Sequence, residues 1–194
     1  MGEGCGRRSL GRMDPRRQER VAALVRGQSV LIHGAAGSVG AFAVQFAHQA
    51  GLRVVATCGQ GDVPYVHALG ADEILPREGQ AFEELVHDID AVIDLVGGDI
   101  QARSFAVLKR GGTLISAVSQ PDQGIAAARG VKAAFFLVEV TTGRLDTIGR
   151  MLEAGTLKTA VGAVLPLASA RVAHEMLGGT RPRPRGKIVL HVAN

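Results

Sequence analysis

From residue 28 onward the chain alternates between short, continuous apolar runs and segments of helical period. The run SVLIH at 29–33 is rich in β-branched residues and ends at Gly34, which predicts a strand buried on both faces. Over 38–50 apolar residues recur at Val39, Phe42, Ala43, Phe46 and Ala47, the spacing of one helix face, and Gly51 stands where a C-cap is expected. The same reading places further strands at 53–57, 73–75, 91–96, 113–118, 132–140 and 187–192. Helices are expected at 62–69, 81–87, 100–109, 145–153 and 169–177, with Pro64 tolerated in a first turn. Strands alternating with helices over short turns imply right-handed crossovers, and so an α/β domain built on a doubly wound parallel sheet.

Composition narrows the function classes. A chain of 194 residues, 46% hydrophobic and 21% charged, suits one globular domain with a sizeable core. No apolar run approaches the roughly 18 residues of a membrane span, so no membrane partner is expected. Cys5 and Cys58 can build neither a disulfide framework nor a four-thiolate zinc site. Tryptophan is absent and aromatics are 4%, which argues against nucleic-acid binding by base stacking. Seven arginines against three carboxylates within residues 1–26 account for the whole net charge of +4. Residues 1–27 therefore read as an arginine-rich, poorly ordered leader before a folded domain over 28–194. The leader has no apolar core of a secretory signal, and a cytoplasmic location is expected. The run RPRPR at 181–185 reads as an extended surface loop, because its prolines carry no backbone donor.

The most informative segment is SVLIHGAAGSVG at 29–40, which runs strand, tight turn and helix start. Its small residues Ala35, Gly37 and Gly40 stand in the A-x-G-x-x-G spacing of a dinucleotide site. Ala35 keeps the turn tight, Gly37 leaves room for a pyrophosphate, and Gly40 lets the helix pack closely. A helix opening at Ser38 would aim unpaired N–H groups and its positive dipole end at phosphate. Candidate binding residues here are Ala35, Ala36, Gly37, Ser38, Val39 and Gly40, and the domain reads as a Rossmann fold. NAD-selective sites place an acid at the end of the second strand, whereas this chain has ATCGQ at 56–60. The neutral stretch permits a 2′-phosphate and favours NADPH over NADH, with Arg77 available to add charge. Cys58 reads as a small neutral filler.

The ordered runs VLIHGAAGSVGAFAVQFAHQAGLRVVATCG, LGADEIL, DAVIDLVGGD, LKRGGTLISAVS and RGKIVLHV resemble the medium-chain dehydrogenase/reductase superfamily, in its zinc-independent quinone oxidoreductase-like branch. The resemblance covers about residues 28–194. It implies NADPH contacts at Cys58 and Gly59, at Val96 and Gly97, around Ser116 to Val118, and near the sixth strand at Phe136 to Val138. It also implies a homodimer joined through that strand, here AAFFLV, although the run reads equally well as interior core. Relatives carry a GroES-like domain ahead of the first Rossmann strand, where this chain has the leader, and apolar surface beside the cleft is therefore expected to be exposed. A tyrosine and a serine that many relatives place near the 2′-phosphate correspond here to Pro76 and Gly59.

Other constellations carry less. Six scattered histidines form no metal-binding pair, so no metal is expected. Asp88, Asp90 and Asp94 read as a structural turn and a strand-end carboxylate, and Ser116 has no base in sequence context. Tyr65 has no lysine four residues on, which argues against the short-chain dehydrogenases. The expected function is NADPH-dependent hydride transfer to a quinone or enone, with no proton donor identified. A non-catalytic dinucleotide-binding module is the alternative; a methyltransferase reading is weaker, because the second strand lacks the acid it needs.

Overall fold

A computed structural model describes residues 24–79, 81–137 and 140–192. Six parallel strands, β1 (Ser29–His33), β2 (Arg53–Cys58), β3 (Glu73–Pro76), β4 (Ile89–Asp94), β5 (Leu108–Ser116) and β6 (Lys132–Phe135), form one sheet in the order β3-β2-β1-β4-β5-β6. The order reverses between β1 and β4, which opens a crevice at the carboxyl ends of these strands. Alternate residues of each central strand feed opposite cores. Val30, Ile32, Val54, Ala56 and Ala91 face one side, where α1 (Gly40–Gln49) and α2 (Val63–Ala68) pack. Leu31, Val55 and Val92 face the other, against α3 (Phe82–Leu85), α4 (Gly98–Ser104), α5 (Gln123–Arg129) and the Phe105–Val107 turn. Each buried Val, Leu or Ile contributes roughly 1.5–3 kcal/mol over leaving it in water, and this two-sided burial is why the runs read as continuously apolar.

Helix α1 begins at Gly40, two residues later than expected, and buries a different face. Gly40, Ala41, Val44, Gln45 and Ala47 are buried, whereas Val39 is 62% and Phe46 39% exposed. Small residues win this face because they let the helix axis come close to the sheet. The Gln45 amide donates to the Lys158 carbonyl at 2.9 Å and accepts from the Lys158 N–H at 2.7 Å, tying the chain after α6 (Thr142–Glu153) to α1.

Four expectations need correction. The helix expected to reach residue 109 ends at Ser104, because β4 takes the next backbone groups: the Ile89 N–H donates to the Val107 carbonyl at 2.9 Å. The strand expected at 113–118 then starts at Leu108 and runs through Gly111 and Gly112, with a register shift that leaves extra residues opposite Ile89–Ala91. The final strand, β8 (Lys187–His191), lies outside the main sheet and pairs in parallel with β7 (Val161–Pro166), a strand not foreseen. Between these two run a single helical turn and α7 (Ala170–Leu177). Strand β6 is shorter than expected and forms an edge of the main sheet, not its interior.

Buried polar groups pin the central strands. Asp90 accepts from the Ser29 N–H and hydroxyl, each at 2.9 Å, and from the Gln28 amide at 2.7 Å, and it pairs with Lys109. Burial alone would raise its pKa, but the bonds from Lys109 and Ser29 win and hold it at about 2. At the end of β1, His33 Nε2 lies 3.0 Å from the Ser104 hydroxyl, which donates to the Ile100 carbonyl, so the ring nitrogen is the donor there. His33 Nδ1 then accepts from the Thr57 hydroxyl at 3.0 Å, and the ring meets Phe82 edge-on. This environment suits a neutral imidazole. Burial, against the pull of Asp94, pushes His33 down to about 4.

A depressed histidine stabilises the fold above its unfolded value near 6.5, and that stability is lost as pH falls through about 4. Denaturant melts from pH 7 to 4 should show a loss of roughly 3 kcal/mol from this group. His33→Gln should flatten the slope between pH 6.5 and 4; an unchanged slope in that variant would contradict the assignment.

Candidate functional site

The β1–α1 turn is held by backbone bonds. The Ala35 N–H donates to the Thr57 carbonyl at 3.0 Å, and the Gly37 N–H to the Gly34 carbonyl at 3.0 Å. Gly34 itself has φ +71°, a conformation that glycine adopts without strain. A Cβ on Gly40 would stand 2.2 Å from the Gly34 carbonyl oxygen, so only glycine fits this crossing. The equivalent atom on Gly37 would meet only that same oxygen, at 3.2 Å. Ala35 is fully buried, Ala36 half-buried, and Gly37, Ser38 and Val39 face solvent. The N–H groups of Ser38 and Val39 have no protein acceptor among the described residues. Two free donors at the positive end of a ten-residue helix make a place for an anion.

A cavity of about 590 Å³ opens from this turn across the switch point. Gly34, Ala36 and Gly37 line one side, Thr57, Cys58 and Gly59 the end of β2, and Leu95, Val96 and Ile100 the segment after β4. Arg77, after β3, and Asp62, after β2, complete it together with Arg183, Pro184, Arg185 and Gly186. Burial pushes the Cys58 thiol up, reinforced by Asp62 and Glu78, so it stays protonated near neutral pH and fills space. The sequence stretch 56–60 is neutral, but the fold brings two carboxylates to its end. A Cβ on Gly59 would lie 3.5 Å from Glu78 Oε1 and 3.7 Å from both Asp62 Oδ2 and Arg77 Nη2. Glu78 accepts from the Gln60 N–H at 2.9 Å and pairs with Arg77 at 3.2 Å. The β2 end is therefore a ring of paired charges, not a neutral gap.

Asp94 closes β4. It is fully buried and accepts from the N–H groups of Val96 at 3.0 Å and Gly97 at 2.8 Å, the Gln101 amide at 2.9 Å and the Ser116 hydroxyl at 2.9 Å. Burial would raise its pKa; the four donors outweigh this and lower it. The residue shapes the loop at Val96 and Gly97, where Gly97 has φ +79° and a Cβ would press within 3.1 Å of Val118. Ser116 turns inward to Asp94, so its hydroxyl is spent on the fold.

The site residues expected from sequence thus fall into two groups. Ala36, Gly37, the β2-end pair Cys58 and Gly59, Arg77, and Val96 line one cavity, Ser38 lines a smaller pocket beside it with Ala36 and Gly37, and Val39 follows Ser38 in the turn. Ser116, Val118 and Phe136 stand at the ends of β5 and β6, joined by the Phe136 N–H to the Ser116 carbonyl at 2.8 Å. Val138 lies outside the described residues. Val96 and Val118 are each 50% exposed beside this edge, as the expectation of apolar surface there requires. Thr57, Asp62 and the Arg183–Gly186 loop were missed, and the last joins the site from more than a hundred residues away.

Comparison with known proteins agrees with this geometry. Residues 69–190 match the family model of the zinc-binding dehydrogenases. A probable zinc-binding oxidoreductase, mitochondrial, of Arthroderma benhamiae is 33% identical over 177 residues, covering 87% of this chain and 53% of that protein. The human mitochondrial NAD(P)H oxidoreductase RTN4IP1 is 29% identical over 195 residues, covering 86% and 48%. The quinone oxidoreductase of Coxiella burnetii superposes with a TM-score of 0.82 at 29% identity, covering 91% and 56%. The chain spans about half the length of the relatives it matches. With its reversed parallel sheet and glycine turn, the chain belongs to the zinc-binding dehydrogenase family and corresponds to the nucleotide-binding half of medium-chain dehydrogenase/reductase oxidoreductases.

Proposed function

We propose that the chain binds NADPH in the cavity at the switch point and serves hydride transfer to a conjugated carbonyl, a quinone or an enone. The observation that carries this reading is the pair of unengaged N–H groups at Ser38 and Val39, which follow Ala36 and Gly37 on the wall of a cavity that reaches the ends of β2 and β4. The printed descriptions of the human and Coxiella relatives, an NAD(P)H oxidoreductase and a quinone oxidoreductase, support the reaction class. Gly37, Ser38 and Val39 would take the diphosphate. Cys58, Gly59 and Arg77 would border the adenosine ribose, Val96 and Gly97 the wall after β4, and Ser116, Val118 and Phe136 the nicotinamide half. When bound, the nicotinamide supplies a hydride to an electrophilic carbon. The protein's own contribution is position: a tight turn, a loop fixed by Asp94, and apolar Val96 and Val118 beside the strand ends. Among the described residues no group of three or more His, Cys, Asp or Glu stands together to hold a zinc ion.

The edge position of β6 supports a homodimer in which two sheets join at that strand. Size-exclusion chromatography with light scattering should give a dimer that Ala134→Pro converts to monomer, whereas a wild-type monomer would contradict the pairing.

Calorimetric titration should show NADPH binding, and an ortho-quinone assay should follow its oxidation. Binding without turnover would favour the alternative of a nucleotide-binding module, and absence of binding would overturn both readings. Gly37→Ala should weaken NADPH by about tenfold or more with stability changed by less than about 1 kcal/mol. Gly40→Ala should instead cost roughly 1–3 kcal/mol of stability, because its Cβ meets backbone.

A further inference from the structure

The run RPRPR at 181–185 does not lie idle on the surface. Arg185 clasps the loop after β2: its Nε and Nη2 reach Asp62 Oδ1 at 2.8 and 2.7 Å, and Nη2 donates to the Gly61 carbonyl at 2.6 Å. The guanidinium also sits over the Tyr65 ring, 5.2 Å from its centre. Arg185 is thus engaged through both Nε and Nη2, and Arg77 pairs with Glu78 through its Nε at 3.2 Å. Arg183 differs. It lines the same cavity and reaches the edge of the glycine turn, yet its one side-chain hydrogen bond among the described residues is a long one, 3.5 Å, to the Gly186 carbonyl. No carboxylate pairs with it among the described residues. Three arginines therefore meet two carboxylates at the end of β2, and Arg183 carries the excess positive charge.

That end of β2 is where this fold reads the 2′ position of the adenosine ribose. Gly59 leaves an open space there, rimmed by Asp62, Glu78 and Arg77. Pro182 and Pro184 fix their own φ and have no N–H, so the segment joins neither a strand nor a helix and stays stiff. A stiff loop holds its guanidinium in place at a low entropic cost, and the planar fork matches phosphate oxygens two at a time. We infer that Arg183 is the residue that binds the 2′-phosphate of NADPH, with Arg185 as the positioning residue that clamps its loop to Asp62. The inference rests on the dinucleotide reading of the cavity and deepens it: selectivity for the phosphorylated nucleotide comes from a distant loop, and Pro76 and Gly59 need supply none.

The test measures dissociation constants of NADPH, NADH, adenosine 2′,5′-bisphosphate and AMP for the full chain and for Arg183→Ala, Arg183→Lys and Arg185→Ala. Arg183→Ala should weaken NADPH and the bisphosphate about tenfold or more while changing NADH and AMP less than about twofold. Arg183→Lys should recover part of the loss, since it keeps charge but not the fork. Arg185→Ala should move the same pair in the same direction by a smaller factor, with an unchanged melting temperature for the main sheet. Equal losses for both nucleotides would place Arg183 on a shared part of the ligand and overturn the inference, as would no loss or a wild-type preference for NADH. A wild-type chain that binds none of the four overturns the dinucleotide reading itself, and the inference with it.

Discussion

Helix α1 crosses the end of β1 so closely that the Gly40 position touches the Gly34 carbonyl and the Ala35 backbone. That approach sets the rest of the site. It demands glycine at 40, it favours Ala41, Val44 and Ala47 as the buried face of α1, and it leaves the preceding amides of Ser38 and Val39 facing outward with nothing to bond. A helix held further from the sheet would lose both the packing and the aimed donors. The packing of α1 and the outward-facing amide donors follow from one steric condition.

The second determinant is how the strand ends are stiffened. Asp94 gathers two backbone amides, an amide side chain and a hydroxyl, so the loop after β4 has one conformation. His33, neutral between two hydroxyls, does the same between β1, β2 and α4. Asp90 locks the opposite ends of β1 and β4 and draws in Lys109. Among the described residues no buried side-chain polar atom lacks a partner, and Arg77, Asp62, Arg183 and Arg185 bring the charges to the cavity.

The central strands were legible in sequence for a physical reason: burial on both faces removes alternation and leaves unbroken runs such as SVLIH. Gly51, with φ of +73°, marked a helix end correctly. The face of α1 was misread because apolar spacing counts Phe46 and Val39 as core, whereas close packing selects the smallest residues. Helix α5 was overlooked although Asp122 caps its start and Gly130 ends it with φ +64°, signals that sit outside any apolar period. Strand β7 is half-exposed and pairs only with β8, so it has no buried run to announce it. The glycine turn was legible because all its parts are neighbours in sequence. The charged ring at Gly59 was not, because Asp62, Glu78 and Arg185 meet only through the fold.

The central claim is that the amides opening α1 hold a diphosphate. Amide-resolved NMR of the labelled protein tests it most directly, by adding NADPH and, separately, nicotinamide riboside, which has no phosphate. The account predicts large, saturable shifts at the Ser38 and Val39 amides with NADPH and none with the riboside. Saturable NADPH binding that leaves those two resonances unmoved would contradict it.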